Sequence, residues 1–215
     1  MTVAETAPGG LLRLEEALVR MLDGLEPLPA ERVALEDAQG RVLADAIDSR
    51  LTMPPWDNSA MDGFAVRSAD VVRATPDNPV VLEVIGESAA GRASGVEVRE
   101  GTAVRILTGA PLTAGADTVV PVEDTDAPMG AAALPERVAI FDSRRPGAHI
   151  RRAGSDLRRD YPLLSAGSLM TPAAMAVAAA GGHAEVLVHG RPRVAILATG
   201  NELAPIGRDL GDDEI

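Results

Sequence analysis

The chain has 215 residues, of which 46% are hydrophobic and only 2% aromatic, so alanine, valine and leucine must build its core. Its 20 basic residues against 32 acidic ones give a net charge of −12, which disfavours polynucleotide binding. Cysteine is absent, which excludes disulfides and thiolate metal sites, and no apolar run approaches the roughly 20 residues that span a bilayer. The sequence therefore predicts a cytoplasmic protein that engages neither nucleic acid nor membrane.

The first fifty residues predict a short helix and strand segment. Residues 1–10 are interpreted as a tail, and apolar residues from Leu11 to Leu25 recur at helical spacing. This pattern predicts an amphipathic helix that ends near Gly24. A short strand is expected at 32–35, and a second short helix at 36–46.

From 51 to 143, short β-branched runs alternate with glycine and proline, which predicts an all-β unit resembling a barrel or a bent sandwich. A surface loop is expected at 126–134. We interpret 51–143 as a β domain inserted between 1–50 and 144–191, which together would form one helix and strand region. The predicted strands are 64–66, 80–85, 103–107, 118–122 and 138–141.

The last third of the chain alternates between helix and strand. Thr171 is a good N-cap for a helix that ends at Gly181 and Gly182, and strands are expected at 184–188 and 193–198. The second strand is almost wholly apolar, which is typical of a strand buried on both faces of a parallel sheet. We therefore expect a mixed α+β chain in which 192–215 form the truncated start of an α/β domain. An edge strand of a complete fold is the alternative.

Polar side chains crowd the segment that follows Trp56. Asp57, Asn58, Ser59 and Asp62 lie within six positions, at a rim expected to be fixed by Trp56 and Phe64. One interpretation is an ordinary turn, because these residue types bond their own backbone. The other is a magnesium site, because Mg²⁺ binds one or two carboxylates together with water and substrate phosphate.

Two further segments carry candidate chemistry. Thr108 follows a predicted strand, where it is either a turn residue or a donor to a phosphate or other oxyanion. Arg151 and Arg152 precede Asp156, so they form either surface ion pairs or a grip on an anionic ligand. The three histidines share no metal-ligand spacing and are interpreted as structural or surface residues.

Four segments taken together resemble the molybdopterin molybdenumtransferases, the molybdenum insertases that include MoeA and the E domain of gephyrin. The segments occur in the family's order and at its spacings. They are Asp57-Asn58-Ser59-Ala60-Met61-Asp62-Gly63, Arg105-Ile106-Leu107-Thr108-Gly109-Ala110-Pro111, Ile150-Arg151-Arg152-Ala153-Gly154-Ser155-Asp156 and Thr199-Gly200-Asn201-Glu202-Leu203.

The resemblance implies an elongated homodimeric enzyme that takes adenylylated molybdopterin and molybdate, inserts the metal and releases AMP with Mg²⁺. It also implies a set of site residues. The catalytic candidates are Asp62, Thr108, Asp156 and Glu202, with Asp62 also the metal ligand. The candidates for binding the ligand are Asn58, Ser59, Arg151 and Arg152.

Two departures from the family pattern matter. Asn201 stands where the family usually has aspartate, which puts a metal role there in doubt, and the α/β pterin-binding domain is almost wholly missing. We therefore expect the 215-residue chain alone to be inactive. Two alternatives stay open: a non-catalytic dimerisation or scaffold module of the same fold, and a Mg²⁺-dependent phosphohydrolase indifferent to molybdate.

Overall fold

The structure, a computed structural model, describes residues 12–128 and 133–215. The predicted tail at 1–10, the helix position Leu11 and part of the predicted loop 126–134 lie outside these residues. In the described parts the helices are α1 (Leu14–Leu22), α2 (Ser68–Val71) and α3 (Pro172–Ala180). The strands are β1 (Ala30–Ala34), β2 (Ile47–Asp48), β3 (Asn58–Ser59), β4 (Gly63–Val66), β5 (Val80–Ser88), β6 (Thr102–Ile106), β7 (Thr118–Pro121), β8 (Arg137–Ile140), β9 (Ile150–Arg151), β10 (Pro162–Leu164) and β11 (Glu185–His189).

Five of these strands form one mixed sheet in the order β7-β4-β6-β5-β8. They are the five strands that the sequence predicts between 64 and 141, so these predictions are confirmed. β5 and β6 run parallel, whereas the other neighbours are antiparallel. An isolated bridge between Thr125 and Ile140 brings the chain that follows β7 beside β8, at the opposite edge of the sheet. The sheet is therefore curled.

Each face of this sheet carries a cluster of buried apolar side chains. One face carries a cluster around Phe64, Leu82 and Ile140, and the other packs Ala65 and Ile106 against neighbouring loops. Phe64 is thus a core residue rather than the rim residue that the sequence suggested. Apolar side chains that alternate along these short strands are sufficient to fill the core, although the chain has few aromatic residues.

A second core lies where β1 and β11 pair antiparallel and α3 packs beside them. Leu43 and Met170 are fully buried there. Thr171 caps α3, because its side chain accepts a hydrogen bond from the N–H of Ala174, and Pro172 occupies the first turn as predicted. This core therefore joins residues from both ends of the chain.

The predicted helix at 36–46 is wrong. Only Leu35–Asp37 is helical, as a single 3₁₀ turn. Gly40 has a φ of +73°, and the N–H of Leu43 donates to Ser168 while Leu43 bridges to Val188. The backbone groups of this segment thus find partners in neighbouring strands, and burial of Leu43 overrides the local helical tendency.

The predicted strand at 193–198 is not confirmed. Residues 190–200 form neither helix nor strand, and the apolar side chains of Val194, Ile196 and Leu197 are exposed. A strand buried on both faces needs a neighbour on each side, and within the described residues no strand pairs with this segment.

The predicted N-terminal helix is confirmed as α1, but none of its residues is buried. Its apolar side chains, among them Leu14, Leu18 and Met21, face solvent. Among the described helices, none is long and apolar enough to cross a membrane.

Candidate functional site

Three of the four signature segments meet around β3. β3 pairs antiparallel with β9, so that Asn58 lies opposite Arg151, and Asn58 also bridges to Pro111. The N–H of Gly109 donates to the carbonyl of Ser59 over 2.8 Å. The segments around 57–62, 108–112 and 150–156 therefore form one continuous surface.

Asp62 and Thr108 are joined by two hydrogen bonds. The backbone N–H and the hydroxyl of Thr108 both donate to Oδ1 of Asp62, over 2.6 and 2.7 Å. The sheet explains this contact. Gly63 pairs with Ile106 in antiparallel strands, so the start of β4 and the end of β6 lie side by side at the same end of the sheet.

These two bonds define the chemistry of Asp62. The N–H of Thr108, followed by its hydroxyl, lowers the pKa of the Asp62 carboxyl, because both donors favour the charged form. The carboxylate is exposed, and the hydrogen bonds within the described part of the chain leave its Oδ2 without a partner. Asp62 thus presents one ionised oxygen to solvent.

Asp57 belongs to the polar segment that the sequence singled out, but the resemblance did not place it among the site residues. Its Oδ2 accepts from Nη1 of Arg152 over 2.5 Å and its Oδ1 from the N–H of Ala153 over 2.8 Å. The Ala153 bond and then the Arg152 bond lower the pKa of Asp57. Its carbonyl accepts from the N–H of Leu112, so Asp57 touches both neighbouring segments. The polar run Asp57-Asn58-Ser59 pointed to this position. The sequence could not show that Asp57 lies opposite Arg152, because the two residues are far apart in the chain.

Arg151 makes a second ion pair, with Asp156. Its Nη2 lies 2.6 Å from Oδ2 of Asp156, and the hydroxyl of Ser155 donates to Oδ1 of the same carboxylate over 3.1 Å. The Arg151 bond, followed by that of Ser155, lowers the pKa of Asp156. Each of the adjacent arginines is therefore held by its own carboxylate, Arg151 by Asp156 and Arg152 by Asp57.

Asn58 and Ser59 occupy the floor of this surface. The Ser59 hydroxyl is fully buried and donates to the carbonyl of Met61 over 2.5 Å, so in this structure it bonds within its own loop. Asn58 is 5% exposed, and its Oδ1 is buried without a hydrogen-bond partner among the described residues. An unsatisfied buried amide of this kind is what a bound polar ligand can satisfy.

Glu202 lies apart from the other predicted residues. It is exposed, its carbonyl accepts from the N–H of Ile215, and no hydrogen bond or ion pair in the described chain joins it to Asp62, Thr108 or Asp156. The strand predicted to carry Glu202 to the site is not formed.

The donor set limits which metal this surface can hold. Within 12–128 and 133–215, no three histidine, cysteine, aspartate or glutamate side chains come together as a metal site. One ionised carboxylate oxygen, on Asp62, does fit Mg²⁺, which keeps most of its waters and completes its shell with substrate phosphate.

Comparison with known proteins identifies relatives of most of this chain. A family described as the MoeA N-terminal region, domains I and II, matches residues 12–182. Molybdopterin molybdenumtransferase 2 of Mycobacterium tuberculosis H37Rv is 42% identical over 94% of this chain and 47% of its own length. The molybdopterin molybdenumtransferase of Bacillus subtilis is 37% identical over 94% of this chain and 46% of its own.

Solved structures agree with the sequence comparison. A molybdopterin biosynthesis MoeA protein from Pyrococcus horikoshii OT3 superposes with a TM-score of 0.72 and 32% identity, over 81% of this chain and 45% of that one. The chain spans about half the length of the relatives it matches. Because the family match covers residues 12–182, which are most of the chain, the chain belongs to the MoeA N-terminal region family.

Proposed function

We propose that this chain serves molybdenum cofactor biosynthesis, as the N-terminal part of a molybdopterin molybdotransferase that inserts molybdate into adenylylated molybdopterin and releases AMP. The names of its relatives support this assignment. The single observation that carries it is the Asp62–Thr108 pair on a surface built from three signature segments.

In this proposal Asp62 is the chain's magnesium ligand. Thr108 occupies Oδ1 of Asp62, so Oδ2 is the oxygen that would hold Mg²⁺. When bound, the ion would neutralise charge on the phosphoanhydride of the substrate. Asp62 is ionised in the neutral range, as a ligand for a hard cation requires, and its lowered pKa extends the ionised range toward acid pH.

The other residues take supporting roles. Asp57 and Asp156 hold the two arginines beside the loop that carries Asp62, and exchange of either arginine from its carboxylate to an anionic substrate would supply a phosphate or molybdate contact. The unpartnered Oδ1 of Asn58 would accept a hydrogen bond from an N–H or O–H group of the substrate. Glu202 joins this group only if the segment around it is placed differently in the active assembly.

The partners proposed are adenylylated molybdopterin, molybdate and a second copy of the chain. The exposed apolar face of α1 supports the second copy, because a helix that buries none of its apolar side chains within the described structure has an uncovered surface.

The test is AMP release from adenylylated molybdopterin with Mg²⁺, with and without molybdate. It compares the 215-residue chain, the longest reading frame that contains it, and that longer form carrying Asp62→Asn. Asp77→Asn is the matched control, because Asp77 is an exposed aspartate on the loop between α2 and β5, away from the three segments.

The expected result is molybdate-stimulated release by the longer form, lowered roughly 10²–10⁴-fold by Asp62→Asn and unchanged by Asp77→Asn. Release that ignores molybdate would replace the proposal with a phosphohydrolase. A folded longer form that releases no AMP would replace it with a scaffold module. Equal specific activity of the 215-residue chain and the longer form would contradict the expected inactivity of the shorter chain.

A further inference from the structure

Trp56 is the one aromatic side chain at the edge of the candidate site that faces solvent. The chain has one Trp, one Tyr and two Phe in total. Phe64, on the neighbouring strand β4, is buried, whereas Trp56 is 49% exposed. Leaving the largest apolar side chain half in water costs burial energy that a folded chain normally recovers. A ligand that covers the ring would recover it.

The backbone on both sides of Trp56 is fixed. Pro54 accepts a hydrogen bond from the N–H of Gly154, and the carbonyl of Asp57 accepts from the N–H of Leu112. The Asp57 carboxylate is held in turn by Arg152. Trp56 therefore projects from a tethered loop rather than from a free one, which lowers the entropic cost of using it as a contact surface.

The segment to which the Trp56 loop is bonded is charged. Arg151, Arg152 and Asp156 are exposed, and their ion pairs lie on the segment to which the Trp56 loop is tied. The core of a protein–protein interface is depleted in charged residues, so this composition argues against a covering partner protein. An exposed indole on a loop that is bonded to an arginine-bearing segment suits a ligand that joins a planar ring to an anionic group.

We propose that Trp56 is a stacking platform for a planar heteroaromatic ring of the substrate. This inference rests on the proposed function, whose substrate carries two such rings, an adenine and a pterin. Stacking uses the face of the ring and tolerates either, so the experiment must distinguish them. The ring would lie on the indole while its phosphate reaches toward Arg152, 2.5 Å from Asp57 in the free protein.

Because Trp56 is the only tryptophan of the 215 residues, its emission reports on the site directly. Fluorescence is recorded while AMP, a soluble pterin carboxylate, or ribose 5-phosphate is added to this chain and to the longest reading frame containing it. In the longer form, subtraction of the Trp56→Phe trace isolates the signal of Trp56. A control protein carries Trp56→Phe with Tyr161→Trp, since Tyr161 is an exposed aromatic outside the three segments.

We expect saturable quenching by AMP or by the pterin, none by ribose 5-phosphate, and none in the control protein. Quenching by AMP alone assigns the adenine, and quenching by the pterin alone assigns the pterin. By calorimetry, Trp56→Phe should keep the affinity within about three-fold, whereas Trp56→Leu, apolar but without a ring face, should weaken it roughly 5- to 100-fold.

The proposal is overturned if neither ring compound changes Trp56 emission in either form, or if Trp56→Leu binds as tightly as the parent. It is also overturned if emission shifts with protein concentration alone, because Trp56 would then lie at an interface between copies. Molybdate-dependent AMP release with a silent Trp56 keeps the proposed function and removes this inference. Quenching without any AMP release keeps the ring site and removes the proposed function.

Discussion

At the scale of single residues, the site is defined by which donor each carboxylate receives. Asp62 receives two donors from Thr108, 46 positions away, and Asp57 receives two from Arg152 and Ala153. These contacts hold the pKa of both carboxyls below the usual range. The residues are local in sequence, but their chemistry is decided by partners that are distant in sequence.

Replacing Thr108 with valine should change the ionisation of Asp62. Valine keeps the shape and the backbone N–H but removes the hydroxyl donor to Oδ1, so the pKa of Asp62 should rise toward its ordinary value. Titration of the Asp62 carboxyl carbon by NMR measures this, and AMP release should fall with it. Thr108→Ser, which keeps the hydroxyl, should leave both near the parent. A Val variant that titrates like the parent would show that the hydroxyl bond does not form in solution.

The stability of the fold should fall at acid pH, and Asp57 should contribute to that fall. Its pKa in the folded chain lies below that of the unfolded chain, so the contribution is present above about pH 4 and is lost as the pH falls through the folded pKa. Urea midpoints at pH 6 and pH 3 should therefore differ less in Asp57→Asn than in the parent. Identical pH dependence in the two proteins would contradict the assignment of the Arg152 and Ala153 bonds to Asp57.

At the scale of elements, β4 is the strand that organises the site. It lies between β6 and β7, and its first residue, Gly63, directly follows Asp62. A Cβ built on Gly63 would lie 2.0 Å from the carbonyl oxygen of Val120 and 2.9 Å from Cα of Pro121. Because residue 63 has no side chain, β7 can approach β4 closely at the end of the sheet where Asp62 and Thr108 meet.

Gly63→Ala should destabilise the sheet by about 3 kcal/mol or more, because both clashing groups are backbone and cannot rotate away. Urea denaturation measures the change. Gly86→Ala is the matched control within β5: its Cβ would meet only Cγ2 of Val96, at 3.3 Å, and that side chain can move. A loss of stability equal in the two variants would argue against the close approach of β4 and β7.

At the scale of the whole molecule, two cores coexist with two uncovered apolar segments. One core fills the curled sheet, and the other joins β1, β11 and α3. The apolar side chains of α1, and those of Val194, Ile196 and Leu197, belong to neither core and are exposed. Contiguous exposed apolar side chains are typical of surfaces that bind another protein.

We expect α1 to take part in self-association. Light scattering of the chain at high concentration should show a dimer, and Leu18→Asp should shift it toward monomer, because a charge on the apolar face of α1 opposes its burial. Val81→Asp is the control, since Val81 is an equally exposed apolar residue on β5. A monomer at every concentration would contradict this expectation, and an equal effect of both variants would show that association does not use α1.

The sequence by itself determined those parts of the protein that depend on near neighbours along the chain. The five strands of the sheet, α1, α3 with its Thr171 cap, and β11 follow from apolar periodicity and from glycine and proline positions. The signature segments also identified the family, because the polar residues of each segment are contiguous in the sequence. The local sequence pattern was sufficient to predict secondary structure wherever nearby steric contacts and helix caps determine the backbone conformation.

Tertiary structure alone decided the rest. It replaced the helix predicted at 36–46 with a 3₁₀ turn followed by irregular chain that bridges to neighbouring segments, which buries Leu43 in the same core as Met170. It buried Phe64, exposed Trp56 and paired Asp57 with Arg152. Such outcomes depend on the register between strands that are far apart in sequence, and a shift of one residue would turn each side chain to the opposite face.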